Sequence, residues 1–325
     1  MIRNIIFMGT PKFAVPTLEK LINNQYSPCL VISQPDKPQG RKKMVKPTPV
    51  KEVADKNRIT CFQPVDINSQ DSIEYIKTFN PDIIITVAYG AFLGKKLRTM
   101  CPFGAINLHP SLLPKHRGAD PIRSTLINGD TISGISVFFI TAKMDSGNII
   151  TQREYLVNDM NFTELSDYLS VKGAEEIIKT ISILENKNKE YKELKDIFST
   201  QEEEAATYSN KLDKISNRAD FQLEPMEFIR NVNAYSNEPG YYCFFRNKRI
   251  KILKAELFDA ETNEVYPTIK SIEKNKGFVL CLKNGSVLIK EIKYEGKLQM
   301  NAYEFYKGAR LEIGERFQSE EFNRN

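Results

Sequence analysis

Strand-like and helix-like segments alternate along the first 140 residues of this 325-residue chain. The longest apolar run, DIIITVAYG at residues 82–90, is rich in β-branched residues, as expected of a central strand. Further strand patterns lie at residues 4–9, 29–33, 59–63, 105–109 and 134–140, and helical patterns lie at 13–22, 49–57, 69–79 and 120–129. This alternation predicts an α/β fold with a mostly parallel sheet covered by helices on both faces. Ligands of such folds sit beyond the carboxyl ends of the strands, so the loops after residues 90 and 109 are the expected place for chemistry.

The pattern changes after residue 160. An amphipathic helix pattern at 162–184 ends the first predicted domain, residues 1–184, and the charged residues 185–207 predict an exposed linker. A helix pattern at 225–235 and short strand-like runs up to residue 294 predict a small antiparallel barrel of the OB type over residues 208–317, followed by a tail at 318–325. The aromatic residues of this domain are expected in its core, with a stacking platform for bases as the alternative: Tyr241, Tyr242, Phe244 and Phe245.

Motifs and composition together argue against several classes of protein. The first turn, GTPKFA, has only Gly9 and lacks the GxGxxG pattern of dinucleotide-binding proteins. The five cysteines are scattered without a CxxC pair, and the two histidines have no acidic or thiol cluster at ligand spacing, so no metal is expected. The apolar run in MIRNIIFMG is too short for a signal peptide or a membrane span. We therefore expect a cytoplasmic protein with reduced cysteines and no membrane partner.

Positive charge is concentrated in one stretch, PDKPQGRKKMVKPTPVK at residues 35–51. Six lysine and arginine residues lie there against one acid, Asp36. A clustered excess of this kind favours an anionic partner, and a solvated loop explains the charge equally well.

The segment GAINLHPSLLPKHRGADPI, residues 104–122, contains both histidines of the chain. Asn107 and His109 are two residues apart in an extended stretch, so their side chains point to the same side, and Pro110 favours that extended backbone. An imidazole base beside a carboxamide donor suits acyl transfer, because one accepts a proton and the other stabilises an oxyanion. Asp145, in MDSGN, is the candidate carboxylate that orients the imidazole, although an aspartate in such a turn commonly caps its own backbone.

Several motifs together resemble those of methionyl-tRNA formyltransferases, within the folate-dependent formyltransferase superfamily. They are GTPKFAVPTL, QPDKPQGR, VAYG, INLHPSLLPKHRGADPI, INGD and MDSGNII. The similarity runs in order through about the first 180 residues and continues more weakly to about residue 315. The NxH…SLLPxxRG segment with a downstream aspartate is very specific to the superfamily, and the basic loop and β-rich second domain favour its tRNA-modifying branch.

The resemblance implies a Rossmann-like catalytic domain followed by an OB-like domain that contacts tRNA. It implies transfer of the formyl group of 10-formyltetrahydrofolate to the amino group of methionine on initiator methionyl-tRNA, for translation initiation. It places Asn107, His109 and Asp145 on the catalytic positions. We expect a monomer with no metal. The implied folate-binding residues are Val87, Ala88, Tyr89, Gly90, Ser111, Leu112, Leu113 and Pro114, and the implied tRNA-binding residues are Arg41, Lys42 and Lys43.

Two residues depart from the family pattern. Asp120 stands where alanine is expected in RGAAPI, which adds an acid near the site, and Glu238 replaces the usual aromatic residue before Pro239. The alternatives are a formyltransferase acting on glycinamide ribonucleotide or an amino sugar, a non-catalytic RNA-binding module, and a hydrolase that releases formate from formylfolate. The first does not need the basic loop and OB-like domain together, and the second leaves the Asn107, His109 and Asp145 arrangement unexplained.

Overall fold

A computed structural model describes residues 1–39, 44–157, 159–187, 189–213, 215–259 and 265–320. The chain forms two compact units. Unit 1 comprises Met1–Pro121, Ile132–Leu156 and Ser166–Ser209, and unit 2 comprises Ile122–Thr131, Val157–Leu165 and Asn210–Asn325. In the described residues, no helix has an apolar stretch long enough to cross a lipid bilayer.

Unit 1 is built on a seven-stranded sheet. Its strands are β1 (Ile5–Gly9), β2 (Leu30–Ile32), β5 (Cys61–Phe62), β6 (Ile83–Val87), β7 (Ala105–His109), β9 (Ile132–Phe139) and β10 (Ile149–Leu156). Two separate two-stranded pairs are formed by β3 (Lys37–Gln39) with β4 (Met44–Lys46), and by β8 (Arg117–Gly118) with β11 (Tyr208–Ser209). The sheet order is β10-β9-β7-β6-β1-β2-β5. The five strands from β7 to β5 are parallel, and β9 and β10 are antiparallel, which confirms the predicted mostly parallel sheet.

Apolar packing accounts for the central strands. Every residue of β1 and β6 is buried, as expected for parallel strands covered on both faces. The helices of the chain are α1 (Val15–Asn23), α2 (Pro49–Lys56), α3 (Gln70–Lys77), α4 (Lys95–Arg98), α5 (Pro121–Asn128), α6 (Phe162–Lys187), α7 (Tyr191–Leu194), α8 (Pro225–Tyr235) and α9 (Ala302–Ala309), with short 3-10 helices at Lys12–Ala14 and Glu203–Ala205. One core cluster joins Ile6, Ile32 and Ile84 of the sheet to Ile73 and Leu97 of the helices.

The segment 185–207, predicted as an exposed linker, belongs to unit 1, although most of its described residues are exposed. This segment packs on unit 1, where Leu194 is fully buried and the Tyr191 N–H donates to the Pro102 carbonyl. Ser199 then pairs with Ile149 at the edge of the sheet. The sequence did not indicate these contacts because most residues of the segment are polar or charged. A few buried side chains and backbone hydrogen bonds are enough to pack such a segment against a domain.

Unit 2 carries an antiparallel sheet, which confirms the predicted β-rich second domain. Its strands are β12 (Tyr241–Phe245), β13 (Lys248–Asp259), β14 (Ile269–Glu273), β15 (Gly277–Leu282), β16 (Gly285–Tyr294) and β17 (Gln299–Asn301). They lie in the order β12-β13-β16-β15-β14, and β17 pairs with β16. Tyr241, Tyr242 and Phe245 are buried and Phe244 is half-buried, so these aromatic side chains are mostly core residues rather than a stacking platform.

Candidate active site

Strand β7 places Asn107 and His109 on one side of the backbone, because alternate residues of a strand face the same way. Asn107 lies opposite Thr86 of β6, and the Thr86 hydroxyl donates to the Asn107 side-chain oxygen at 2.6 Å. Since the carboxamide oxygen faces Thr86, its NH2 group points the other way, where it can act as a donor.

His109 is only 4% exposed, and each of its ring nitrogens faces an oxygen atom. Nε2 lies 2.9 Å from the backbone carbonyl oxygen of His116. Because a carbonyl only accepts, this bond assigns the ring proton to Nε2 and leaves the lone pair of the neutral imidazole on Nδ1. Nδ1 lies 3.7 Å from Oδ2 of Asp145, too far for a direct hydrogen bond but close enough for the carboxylate to stabilise a protonated ring.

Asp145 lies in a tight turn after β9 and has a left-handed backbone with φ of 47°. Its Oδ2 accepts a 2.7 Å hydrogen bond from the Gly118 N–H. The turn needs a glycine two residues later, because a Cβ on Gly147 would come within 1.6 Å of the Phe139 carbonyl oxygen. Asp145 is therefore a turn residue whose carboxylate accepts from a different segment, at Gly118, and faces His109.

Gln201, which holds this turn by donating from its side-chain NH2 group to the Asp145 carbonyl, was missed from the sequence. The guanidinium of Arg117 is fully buried and donates to the Gln201 side-chain oxygen, from Nε at 3.1 Å and from Nη2 at 2.9 Å. Arg117 also pairs with Glu203, and hydrogen bonds from Lys143 and then from Arg117 hold the pKa of Glu203 below its usual value. Gln201 and Glu203 lie in the predicted linker, within a run of polar residues. This run has no helix or strand periodicity from which their contacts could have been predicted.

The first predicted folate-binding segment, Val87–Gly90, begins at the last residue of β6 and continues past the carboxyl end of the strand. Ala88 and Gly90 both have positive φ, 47° and 89°, and the Tyr89 carbonyl accepts from the Thr10 hydroxyl at 2.9 Å. Burial and the charge of Asp66 raise the pKa of Tyr89 to about 12, so its phenol stays neutral at physiological pH.

The second predicted folate-binding segment, Ser111–Pro114, follows β7 and is fixed by side chains of β9 and β10. The Ser136 hydroxyl donates to the Ser111 carbonyl at 2.7 Å and accepts from the Leu113 N–H at 3.1 Å. Gln152 donates to the Leu113 carbonyl at 2.8 Å. Both predicted segments therefore lie at the carboxyl ends of neighbouring parallel strands, at the sheet edge that carries His109.

The predicted tRNA-binding residues Arg41, Lys42 and Lys43 lie outside the described residues. Asp36 and Lys51, near the two ends of the basic stretch at residues 35–51, contact each other. The Asp36 carboxylate accepts from Gln63 at 2.7 Å and from Lys51 at 2.7 Å. The hydrogen bond from Gln63, and to a smaller extent that from Lys51, lowers the pKa of Asp36. The hydrogen bond to Asp36 in turn raises the pKa of Lys51.

The two departures from the family pattern occupy different units. The Asp120 N–H donates to the Ser209 hydroxyl at 3.1 Å, which ties this acid to β11 in unit 1. In unit 2, the Glu238 carbonyl lies 3.4 Å from Nη2 of Arg123, whose guanidinium also stacks on Phe162 at 4.0 Å. The described residues contain no group of three or more histidine, cysteine, aspartate or glutamate side chains arranged to hold a metal ion.

Comparison with known proteins decides the family. Residues 3–181 match the formyl transferase family, and residues 211–310 match the formyl transferase C-terminal domain. The chain is 34% identical over 315 residues to the methionyl-tRNA formyltransferase of Thermotoga maritima, covering 97% of this chain and 98% of that protein. The chain belongs to the methionyl-tRNA formyltransferase family. The family member of Agathobacter rectalis is 36% identical over 314 residues, covering 96% of this chain and 99% of that protein.

A solved structure shares the fold. HypX from Aquifex aeolicus, in complex with tetrahydrofolic acid, matches with a TM-score of 0.63 at 12% identity, over 97% of this chain and 49% of that one. This chain therefore spans about half the length of HypX, and an identity this low shows the fold alone. The family and fold class expected from the sequence are both confirmed. Formyltransferases of this family take their formyl group from a formyl-tetrahydrofolate.

Proposed function

We propose that this enzyme transfers the formyl group of 10-formyltetrahydrofolate to the α-amino group of methionine on initiator methionyl-tRNA. The observation that carries this proposal is the His109–Asp145 pair beside Asn107, in a chain 34% and 36% identical over nearly its full length to methionyl-tRNA formyltransferases. Full-length identity at this level favours a tRNA substrate over an amino sugar or glycinamide ribonucleotide. The enzyme would act as a monomer in the cytoplasm, where tRNA is charged.

The chemical step is direct acyl transfer. The amine attacks the formyl carbon and the carbonyl oxygen becomes an oxyanion, which the NH2 group of Asn107 stabilises. One such donor is worth about 10²- to 10³-fold in rate. Collapse of the tetrahedral intermediate breaks the bond to N10 of the folate, and N10 leaves with a proton.

His109 moves that proton through Nδ1. Its Nε2 donates to the His116 carbonyl, so Nδ1 carries the lone pair that takes the proton from the amine and returns it to N10. The 3.7 Å between Nδ1 and the Asp145 oxygen suits an amine that lies about 2.9 Å from both atoms, an ordinary hydrogen-bond distance. Asp145 thereby orients the amine and stabilises the imidazolium. General acid–base help of this kind contributes about 10²- to 10⁴-fold.

Substrate binding supplies much of the remaining rate by holding the reactants together. Segments 87–90 and 111–114 would hold the folate, since both end at the sheet edge beside His109. Arg41, Lys42 and Lys43 would contact the tRNA backbone near the acceptor end. The proposed reaction uses no metal.

The direct test is to incubate the purified protein with 10-formyltetrahydrofolate and charged initiator tRNA and to measure formylmethionine. Uncharged initiator tRNA and charged elongator methionyl-tRNA are the controls, and neither should give product at a comparable rate. Formate release that is equal with and without charged tRNA would identify a hydrolase and contradict the proposal.

A further inference from the structure

Gln201 is hydrogen-bonded to the turn that carries Asp145. Its side-chain NH2 group donates to two backbone carbonyls, that of Asp145 at 2.9 Å and that of Gly147 at 2.7 Å. These two bonds fix the backbone on both sides of Ser146. They matter because Asp145 adopts a left-handed conformation, with φ of 47°, which is less favourable than helical or extended backbone for a residue with a side chain.

Arg117 sets the orientation of the Gln201 amide. Two nitrogens of its buried guanidinium donate to the Gln201 oxygen, and a guanidinium has no acceptor. The amide oxygen must therefore face Arg117, which turns the NH2 group toward the Asp145 turn. The next residue, Gly118, donates its N–H to the Asp145 carboxylate. The short strand β8 therefore acts on Asp145 twice, on its backbone through Gln201 and on its side chain directly.

We propose that Gln201 is a positioning residue, whose amide, oriented by Arg117, holds the Asp145 turn so that its carboxylate faces Nδ1 of His109. This inference rests on the proposed function, in which Asp145 supports proton transfer by His109. Gln201 itself touches neither His109 nor the proposed reacting atoms. Its effect is on the rate of the chemical step rather than on the binding of folate or tRNA.

The test uses Gln201→Glu in the full-length enzyme. Glutamate keeps an oxygen for Arg117 but replaces the NH2 group by a second oxygen, which cannot donate to the two carbonyls. We expect kcat to fall at least tenfold, with KM for both substrates within about twofold of wild type. Glu203→Gln is the matched control, because Glu203 also accepts from Arg117 but reaches the loop through the exposed side chain of Lys143, whereas Gln201 bonds to the loop backbone. Its kcat should stay within about threefold.

A double-mutant cycle with Asp145→Asn separates positioning from general structural support. If Gln201 acts through Asp145, Gln201→Glu lowers the single-turnover rate much less in the Asp145→Asn background than in wild type. Gln201→Ala, which introduces no charge, is the second variant and should show the same loss of kcat. Thermal unfolding checks that each variant folds.

Three results would overturn the inference: wild-type kcat in a folded Gln201→Glu, losses that multiply fully in the cycle, or failure of both Gln201 variants to fold. Failure of the proposed function looks different. In that case the wild-type enzyme makes no formylmethionine, or Asp145→Asn alone retains wild-type kcat.

Discussion

The Thr86 hydroxyl donates a 2.6 Å hydrogen bond to the side-chain oxygen of Asn107 across the β6–β7 strand pair. With its oxygen on Thr86, the Asn107 amide turns its NH2 group away from β6, where it is available as a donor. A threonine in the middle of an otherwise apolar buried strand therefore contacts a residue of the proposed catalytic arrangement.

Replacing Thr86 by valine tests this orientation. Valine keeps the shape of the side chain but removes the hydroxyl, so the Asn107 amide loses its fixed orientation and we expect kcat to fall about tenfold, or about 1.4 kcal/mol in the barrier. Thr86→Ser, which keeps the hydroxyl, should retain most of the activity. Equal kcat values for the valine and serine variants would show that the hydrogen bond does not matter for the reaction.

The Asp145 turn should tolerate no side chain at Gly147. In Gly147→Ala the new Cβ would collide with the Phe139 carbonyl, so the thermal unfolding midpoint and kcat should both fall. Gly308→Ala in α9 is the opposite case, because a Cβ there meets nothing within 4 Å and alanine favours the helix by about 0.5–1 kcal/mol. Its unfolding midpoint should rise slightly. A Gly147→Ala variant as stable as wild type would mean that the turn can open.

The pair of Asp36 and Lys51 should make stability depend on pH in a defined direction. The pKa of Asp36 is lowered in the folded state, so its contribution is fully present above the ordinary value of 3.8 and is lost as pH falls through the lowered value. The pKa of Lys51 is raised, so its contribution persists until the pH rises through that raised value, above 10.5. At pH 7, Asp36→Asn should cost about 0.5–1 kcal/mol, since both side chains are partly exposed.

Thermal unfolding of the wild-type and Asp36→Asn proteins from pH 7 down to pH 2 measures this dependence. The two midpoints should differ at pH 7 and converge in acid. Glu19→Gln, at an exposed position on α1, is the control. A difference that persists unchanged at pH 2 would assign the effect of Asp36 to something other than its charge.

Salt titration tests the loop that carries Arg41, Lys42 and Lys43. If the loop contacts about three or four phosphates, the logarithm of the tRNA affinity falls against the logarithm of salt concentration with a slope of about −2 to −4. Alanine at all three positions should weaken binding and make the slope shallower. An unchanged slope would indicate a loop that is merely solvated. A control that removes the same charge elsewhere in unit 1 carries alanine at Lys187, Lys189 and Lys192.

Much of the fold could be predicted from local pattern. The apolar β-branched run that became β6 is buried along its whole length, and the helix pattern at 225–235 matches α8 from end to end. Strand β10 was missed, because TQREY in its middle is polar and largely exposed at the sheet edge, where a strand needs no apolar run. The packing of residues 185–207 in unit 1 was missed for a related reason, since it depends on single buried residues such as Leu194.

The candidate site could likewise be predicted only in part from the sequence. Asn107 and His109 could be placed together because the two-residue period of a strand fixes their directions, and Asp145 could be named as their partner because it follows a neighbouring strand. Gln201 could not be found from the sequence alone. It reaches the Asp145 carbonyl across 56 residues of chain, and no local periodicity records a contact of that span.

The proposed role of His109 is tested most directly by the single-turnover rate of formyl transfer by His109→Ala, with charged initiator tRNA and 10-formyltetrahydrofolate both saturating. We expect a loss of at least about 10²-fold, with the unfolding midpoint and tRNA affinity close to those of wild type. A transfer rate within about threefold of wild type would contradict the assignment of His109 as the group that moves the proton.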